Sequence, residues 1–190
     1  MGRATSIRGC SLLLVFLLLS LLPAAAPCPR VPTMTAARAC REVCGTRDMH
    51  RRCRRTLSAR RGGAAAAVTV HAAVAARSAL DSYAATAAAA ASLFDGASAG
   101  EKAAYGGCMV GYGRARGGMA RVAGDLAAGG CELKAGYMEG LRGMDRCRRS
   151  LFEYPESPLY AMNLADRNKT LLAALLCSPV PTPPPDGRRL

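Results

Sequence analysis

The sequence predicts an all-α protein: an up-down-up-down four-helix bundle preceded by an N-terminal helical hairpin that a disulfide closes. The chain of 190 residues is rich in alanine and has no tryptophan and only three phenylalanines, a composition that favours helices over strands. Glycine-rich joints separate long segments whose apolar residues recur every three or four positions. Such segments with short joints are typical of a helix bundle.

The N-terminus has the organisation of a secretory signal peptide, which we place at residues 1–26. Arg3 and Arg8 precede an apolar run from Leu12 to Leu22, and small residues follow up to Ala26. The run is too short to cross a bilayer, for which about 20 residues are needed, so a cleaved signal is favoured over an uncleaved anchor. We therefore expect a secreted protein of the extracellular space or cell wall, with the vacuole as the alternative and no transmembrane segment.

Secretion determines how the cysteines are interpreted. Cys10 belongs to the signal peptide, so eight of the nine cysteines remain, and an even set in an oxidising compartment predicts a disulfide framework. A zinc site is the weaker interpretation, because the chain has only two histidines and no C-x-x-C pair. We expect no metal and no cofactor.

The formal net charge of +13 predicts attraction to polyanions. An exported basic protein meets acidic wall polysaccharide or membrane headgroups before nucleic acid. Nucleic-acid binding is disfavoured because the arginines are scattered among alanines without the interleaved aromatic residues that stack on bases. The alternative, that the arginines form an ordinary solvated surface, stays open.

The segment 27–63 comes first after the signal. Between Thr35 and about Leu57 it predicts two brief helices, broken at residues 45–47, with Asp48 capping the second. The run from Arg60 to Gly63 ends this part.

The bundle follows at residues 64–177. Its first helix, 64–94, is rich in alanine, and we expect its apolar stripe to consist of Val70, Val74, Leu80, Tyr83 and Phe94. Residues 95–100 form a turn. The second helix has the clearest periodicity, in Tyr105, Cys108, Tyr112, Ala115, Met119, Val122 and Leu126.

After Gly129 and Gly130 the pattern returns in a third helix, in Leu133, Tyr137, Leu141, Met144, Cys147 and Leu151. A fourth helix, 159–177, is expected to present Leu164, Leu171, Leu172 and Leu175. The proline-rich tail, residues 178–190, should be disordered.

Two disulfides follow from spacing. If the second and third bundle helices are antiparallel, residues equidistant from the turn lie level, and the midpoint of Cys108 and Cys147 is 127.5, beside the glycine pair at 129–130. The midpoint of Cys44 and Cys53, 48.5, lies beside the break in the N-terminal hairpin. We therefore predict Cys44–Cys53 and Cys108–Cys147.

No partners are assigned to the remaining cysteines, which are Cys28, Cys40, Cys131 and Cys177. Six glycines in the second helix lower the stability of the bundle, because each costs about 0.5 to 1 kcal/mol relative to alanine. The two predicted disulfides stabilise it by a comparable amount. The glycines are Gly106, Gly107, Gly111, Gly113, Gly117 and Gly118. The bundle should therefore depend on its disulfides.

The chain resembles the plant invertase and pectin methylesterase inhibitor family in its signal peptide, in an N-terminal hairpin stapled by a C-x8-C pair, and in a four-helix bundle whose second and third helices are crosslinked. The segment from Ala104 to Ala115 is similar to the family's A-L-x-D-C-x-x-x-Y-x-x-A, and Ala104, Cys108, Tyr112 and Ala115 match it. Tyr105 stands where leucine is usual, and Gly107 where aspartate is usual. Cys147 followed by Phe152, and the segment from Ser157 to Asn163, are also similar to family patterns. The resemblance covers about residues 39–177.

The resemblance implies an inhibitor without catalysis, whose protein partner is an acid invertase or a pectin methylesterase. A Pro-Lys-Phe loop found in some invertase inhibitors is absent between the second and third bundle helices, where the chain reads from Gly129 to Lys134. The choice of target enzyme is therefore open. Weak association with acidic pectin could accompany inhibition.

Other classes fit less well. An enzyme is disfavoured because the chain lacks G-x-S-x-G, H-E-x-x-H and a phosphate-binding loop in context. A basic lipid-binding or antimicrobial-like protein is the alternative, but the adjacent C-C and C-x-C pairs expected of it are missing. Asn168 begins a sequon, although its spacing from Leu164 and Leu172 puts it on the predicted apolar stripe, so its glycosylation is left open.

Overall fold

A computed structural model of the chain describes Cys28, residues 31–58 and residues 64–181. The predicted signal peptide, the run from Arg60 to Gly63 and residues 182–190 of the predicted tail lie outside the described residues. Within these ranges the protein is all-α apart from one two-stranded antiparallel ribbon. No helix among the described residues has the length and apolar character needed to cross a membrane.

The N-terminal part contains the ribbon and two short helices. Strand β1 is Thr33–Met34 and strand β2 is Ala66–Ala67, with Thr33 opposite Ala67. Helix α1 spans Ala36–Val43 and helix α2 spans Arg47–Ser58. The predicted break between them is confirmed, but the ribbon was not predicted.

The predicted cap of the second helix is wrong by two residues. The Thr46 hydroxyl, not the Asp48 carboxylate, accepts the hydrogen bond from the Met49 amide (3.2 Å). Asp48 lies in the first turn, where a negative charge still favours the helix N-terminus. Thr46 caps the helix because α2 begins at Arg47, one residue after it.

Four long helices make the bundle. They are α3 (Val68–Phe94), α4 (Ala99–Ala127), α5 (Lys134–Ser150) and α6 (Pro158–Cys177). The short loops 95–98, 128–133 and 151–157 reverse the chain each time. Helices α3 and α5 each pack on both α4 and α6, so the predicted up-down-up-down bundle is confirmed.

Local sequence signals set the ends of the bundle helices. Ser98 and Glu101 form a reciprocal capping box at the start of α4. Gly129, with a φ of 77°, follows the end of α4 in the left-handed conformation that glycine adopts without strain. Ser157 caps α6, and Pro158 occupies its first turn. The loops 95–98 and 151–157 both lie at the end of the bundle where α3 ends, and they line one groove there.

The core confirms the predicted seam of α4 and corrects those of α3 and α6. In α3 the fully buried residues are mostly alanines, whereas Phe94 is 42% exposed. In α6, Leu164 is 39% exposed, and polar residues occupy the inward face together with Leu172 and Leu176. Both errors arose because large apolar side chains were assumed to mark the inward face, while here small and polar ones do.

Candidate functional site

Three disulfides crosslink the described residues: Cys28–Cys131, Cys40–Cys53 and Cys108–Cys147. The predicted Cys108–Cys147 bond is confirmed, and it joins the buried faces of α4 and α5. Cys28–Cys131, which spacing left unassigned, ties the N-terminal segment to the loop between α4 and α5. The hairpin and one end of the bundle are therefore held together covalently.

The predicted Cys44–Cys53 bond is wrong, because Cys53 pairs with Cys40. Helix α1 ends at Val43, so Cys44 lies in the turn between the helices, whereas Cys40 is fully buried on the inner face of α1. Burial raises the pKa of the half-buried Cys44 thiol and raises that of the buried Cys177 thiol to about 12. Both thiols are consequently poor nucleophiles at neutral pH.

The contact between α4 and α5 is lined by glycines that bring the two backbones together. A Cβ atom on Gly111 would lie 2.5 Å from the Gly143 carbonyl oxygen, and one on Gly118 would lie 2.5 Å from that of Gly136. These glycines recur every seven residues on each helix and occupy the same seam as the Cys108–Cys147 bond. Gly111 and Gly118 therefore enable close packing, contrary to the expectation that every glycine of this helix only weakens it.

A buried polar cluster joins α3, α4 and α6 around Asp166, which is 1% exposed. Its carboxyl group accepts hydrogen bonds from Ser82, from Thr86 (2.6 Å) and from Tyr112 (2.7 Å). The Lys169 ammonium donates to the Ser82 hydroxyl (2.5 Å). The Ser82 hydroxyl therefore links Lys169 to the Asp166 carboxyl group. Asp166 thus obtains its stabilisation from hydroxyl donors of two other helices.

The tyrosines of this region are held neutral. Burial, and then the nearby Asp166 charge, raise the pKa of Tyr112, and burial raises that of Tyr83. The two rings pack edge to face with centroids 5.6 Å apart, and the Tyr83 hydroxyl bonds to Thr170 (2.5 Å). Sequence reasoning found Tyr83 and Tyr112 as core residues but missed their polar partners.

The cluster is unsuited to catalysis, because its carboxyl group is buried and its hydrogen-bonding capacity is used by hydroxyl groups. Cys44 and His50 line one groove beside the α1–α2 turn, but the raised thiol pKa disfavours the thiolate that a nucleophile requires. Across residues 31–58 and 64–181 with Cys28, no group of three or more His, Cys, Asp and Glu side chains is placed to hold a metal ion. The surface of the protein offers further candidate features.

The end of the bundle opposite the hairpin, which we call the distal end, is built from the 95–98 and 151–157 loops. Phe152 is 74% exposed there, and Phe94 is 42% exposed. Between the two loops lies a groove whose lining includes Glu153, Tyr154 and Glu156. The distal end thus combines exposed aromatic rings with carboxylates.

The surface of the α1–α2 hairpin, in contrast to the distal end, is positively charged. Its outer face is covered by exposed arginines from both helices, and its inner face packs on α3 and α6. The Nε2 atom of His71 in α3 lies 3.0 Å from the carbonyl oxygen of Met34 in β1. This contact holds the strand that precedes the hairpin against α3. The two ends of the molecule therefore offer chemically different surfaces.

Asn168 is partly exposed. Because Leu164 is exposed too, the inference that Asn168 lies on a buried stripe is wrong, and glycosylation of its sequon stays a prediction.

The residues that carry the family resemblance lie together inside the bundle. Ala104, Cys108, Tyr112 and Ala115 are all buried on α4; Cys108 forms a disulfide and Tyr112 donates to Asp166. Tyr105, at the position where leucine is usual, accepts a hydrogen bond from Ser157 (3.1 Å). Comparisons with protein-family models, curated proteins and solved structures found no match.

Proposed function

We propose that the mature chain is a secreted proteinaceous inhibitor that binds an acid invertase or a pectin methylesterase and covers the entrance to its substrate cleft. The observation that carries this proposal is the Cys108–Cys147 bond between the second and third helices of a four-helix bundle. A disulfide-closed helical hairpin precedes that bundle. The crosslink between the second and third helices is the one that the resemblance implies, whereas the hairpin is closed by Cys40 and Cys53 and not by the predicted C-x8-C pair of Cys44 and Cys53.

Rigidity supports an inhibitory role. Three disulfides and the glycine-lined contact between α4 and α5 preform the surface, so little conformational entropy is lost when a partner binds. A disulfide framework is also typical of proteins that work in an oxidising, exported compartment.

The distal end is the surface that we assign to the enzyme partner. Exposed aromatic rings are the side chains most often found as anchors at the centre of protein interfaces, and Phe152 is the most exposed large apolar side chain among the described residues. Its neighbours Glu153 and Glu156 would give a polar rim to the contact.

The experiment is a titration of the oxidised mature protein, residues 27–190, against one acid invertase and one pectin methylesterase. We expect stoichiometric inhibition of one enzyme. Phe152→Ala should weaken that inhibition about tenfold or more, whereas Val110→Ala, at an exposed site in the middle of α4, should leave it unchanged. Inhibition of neither enzyme by a folded sample would refute the proposal, and strong vesicle leakage in its place would favour the lipid-binding alternative.

A further inference from the structure

The segment 36–58, which we call the basic hairpin, has a large excess of positive charge. It contains seven arginines and only two acidic residues. All seven are exposed: Arg38, Arg41, Arg47, Arg51, Arg52, Arg54 and Arg55. This excess makes the basic hairpin a candidate for recognising an anion.

Most of these charges lack an acidic partner within the described residues. Arg38 pairs with Glu42 and Arg51 pairs with Asp48, both inside a single helix. The other five guanidinium groups make no ion pair in the part of the chain that the structure describes. They are free to bind an external anion.

The row of arginines along α2 adds like-charge repulsion to this helix, although Asp48 in its first turn and Arg55 in its last turn suit the helix dipole. Arg47, Arg51 and Arg55 follow one another at i, i+4 spacing, where like charges repel. Arg47 also lies in the first turn, where a positive charge is unfavourable to the helix dipole. A row of like charges is expected where it serves binding.

The geometry presents the arginines as one preformed surface. The fully buried Cys40–Cys53 bond fixes α1 against α2. Arg41 of α1 lines a groove at the turn together with Arg47 and Arg51 of α2. From Arg47 to Arg55 the row extends about 12 Å along the helix, at about 1.5 Å per residue. Such a row suits a linear polymer better than a single small ion.

We propose that the basic hairpin binds a carboxylate-bearing polysaccharide. The planar guanidinium group matches a carboxylate in bidentate geometry. The basic hairpin contains no Phe, Tyr or Trp, so it lacks the large aromatic rings on which the bases of single-stranded nucleic acid stack. Its outer face also lacks large apolar side chains that could enter a lipid surface.

This inference is independent of the proposed inhibition, because it uses the end of the molecule opposite Phe152. Retention in an acidic matrix would place the protein where an exported enzyme acts, and the two functions are separable by mutation.

The test measures binding of the oxidised mature protein to immobilised polygalacturonate, with neutral dextran as the reference matrix. The variant R47Q/R54Q/R55Q removes three unpaired charges and leaves both ion pairs of the basic hairpin intact. The control R114Q/R116Q/R148Q removes three exposed charges from α4 and α5. We expect the first variant to lose about tenfold in affinity and the control less than about threefold. Binding should weaken as salt is raised.

Thermal unfolding of the same variants separates binding from structure. Because R47Q/R54Q/R55Q relieves repulsion and glutamine keeps a good helix propensity, its unfolding temperature should not fall. Should it fall, R41Q/R52Q provides a second variant that spares the Arg47 row, and it must lose affinity without losing stability. Equal losses in hairpin and control variants would overturn the proposal, as would retention of full affinity by both hairpin variants. Tighter binding to duplex DNA or anionic vesicles than to polygalacturonate would also overturn it.

Discussion

The α1–α2 hairpin and the α4–α5 hairpin are each closed by one disulfide, yet they are held together in different ways. In the long hairpin, Gly111 lies against Gly143 and Gly118 against Gly136, and the Cys108–Cys147 bond continues this register. In the short hairpin, helices of 8 and 12 residues meet around Cys40–Cys53. The long pair is specified by continuous backbone contact, and the short pair by its crosslink.

The difference shows what a crosslink adds in each setting. Isolated helices shorter than about 12 to 15 residues are marginal in water, so the short hairpin depends on its disulfide and on docking to the bundle. The long hairpin has a second attachment, because Tyr112 of α4 donates to the buried Asp166 of α6. Its register should survive changes that would release the short hairpin.

The largest expected effect is at the attachment of the long hairpin. Asp166→Ala removes the acceptor of three hydroxyl donors on α3 and α4 and should lower the free energy of unfolding by about 3–5 kcal/mol. The matched control is Asp145→Ala, which breaks the partly exposed ion pair with Arg167 (2.8 Å) and should cost about 1 kcal/mol or less. Urea denaturation of the oxidised proteins measures both. Similar losses for the two variants would mean that the buried cluster does not anchor α4.

The second effect concerns the short hairpin. Removal of the Cys40–Cys53 bond by a double change to serine should lower stability by about 3 kcal/mol, from loop-closure entropy. Cys44→Ser, in the turn of the same hairpin, should change stability by less than about 0.5 kcal/mol. Disulfide mapping by proteolysis and mass spectrometry accompanies the denaturation. A Cys44–Cys53 peptide from the wild-type protein would contradict the pairing described here.

The third effect tests the glycine contact of the long hairpin. Gly111→Ala and Gly118→Ala place a Cβ against backbone atoms of α5, and each should destabilise the protein by about 1–3 kcal/mol. Gly113→Ala and Gly117→Ala, on the same helix, meet no atom within 4 Å and should stabilise it by about 0.5–1 kcal/mol each. Thermal unfolding of the four variants gives the sign directly. Stabilisation by all four changes would show that helix propensity, not close packing, governs this helix.

The two hairpins also explain where sequence reasoning succeeded and failed. In α4 and α5 a sustained apolar period identified the inner faces, so Cys108 and Cys147 could be placed level and inward. The short hairpin has no such period, and the end of α1 at Val43 leaves Cys44 in the turn. Helix boundaries are the weakest part of a sequence prediction, and a short hairpin leaves no room for an error of two residues.

The buried polar cluster was missed for another reason. On α6 the inward positions Asn163, Asp166 and Thr170 continue the three-or-four-residue spacing of Leu159, whereas the stripe predicted for this helix contained only leucines. The side-chain partners of Asp166 and Thr170 come from α3 and α4, up to 87 residues away in the chain, so only tertiary packing brings them together. The signal available in the sequence was the regular three-or-four-residue spacing of these polar residues on α6.

The smallest expected effect is a pH dependence that belongs to the long hairpin and its attachment. Tyr112 and Tyr83 have raised pKa values in the folded protein, so above the ordinary tyrosine pKa of about 10 the folded state holds protons that the unfolded state releases. Stability is therefore unaffected below about pH 10 and falls as the pH rises above it, by up to about 1.4 kcal/mol per pH unit for each tyrosine. Tyr112→Phe should reduce this slope by about half, although it also lowers stability at neutral pH. Urea denaturation between about pH 8 and about pH 11, with tyrosinate absorbance as the ionisation signal, measures the slope. An unchanged slope in Tyr112→Phe would mean that Tyr112 titrates freely and that its bond to Asp166 does not hold α4 in the bundle.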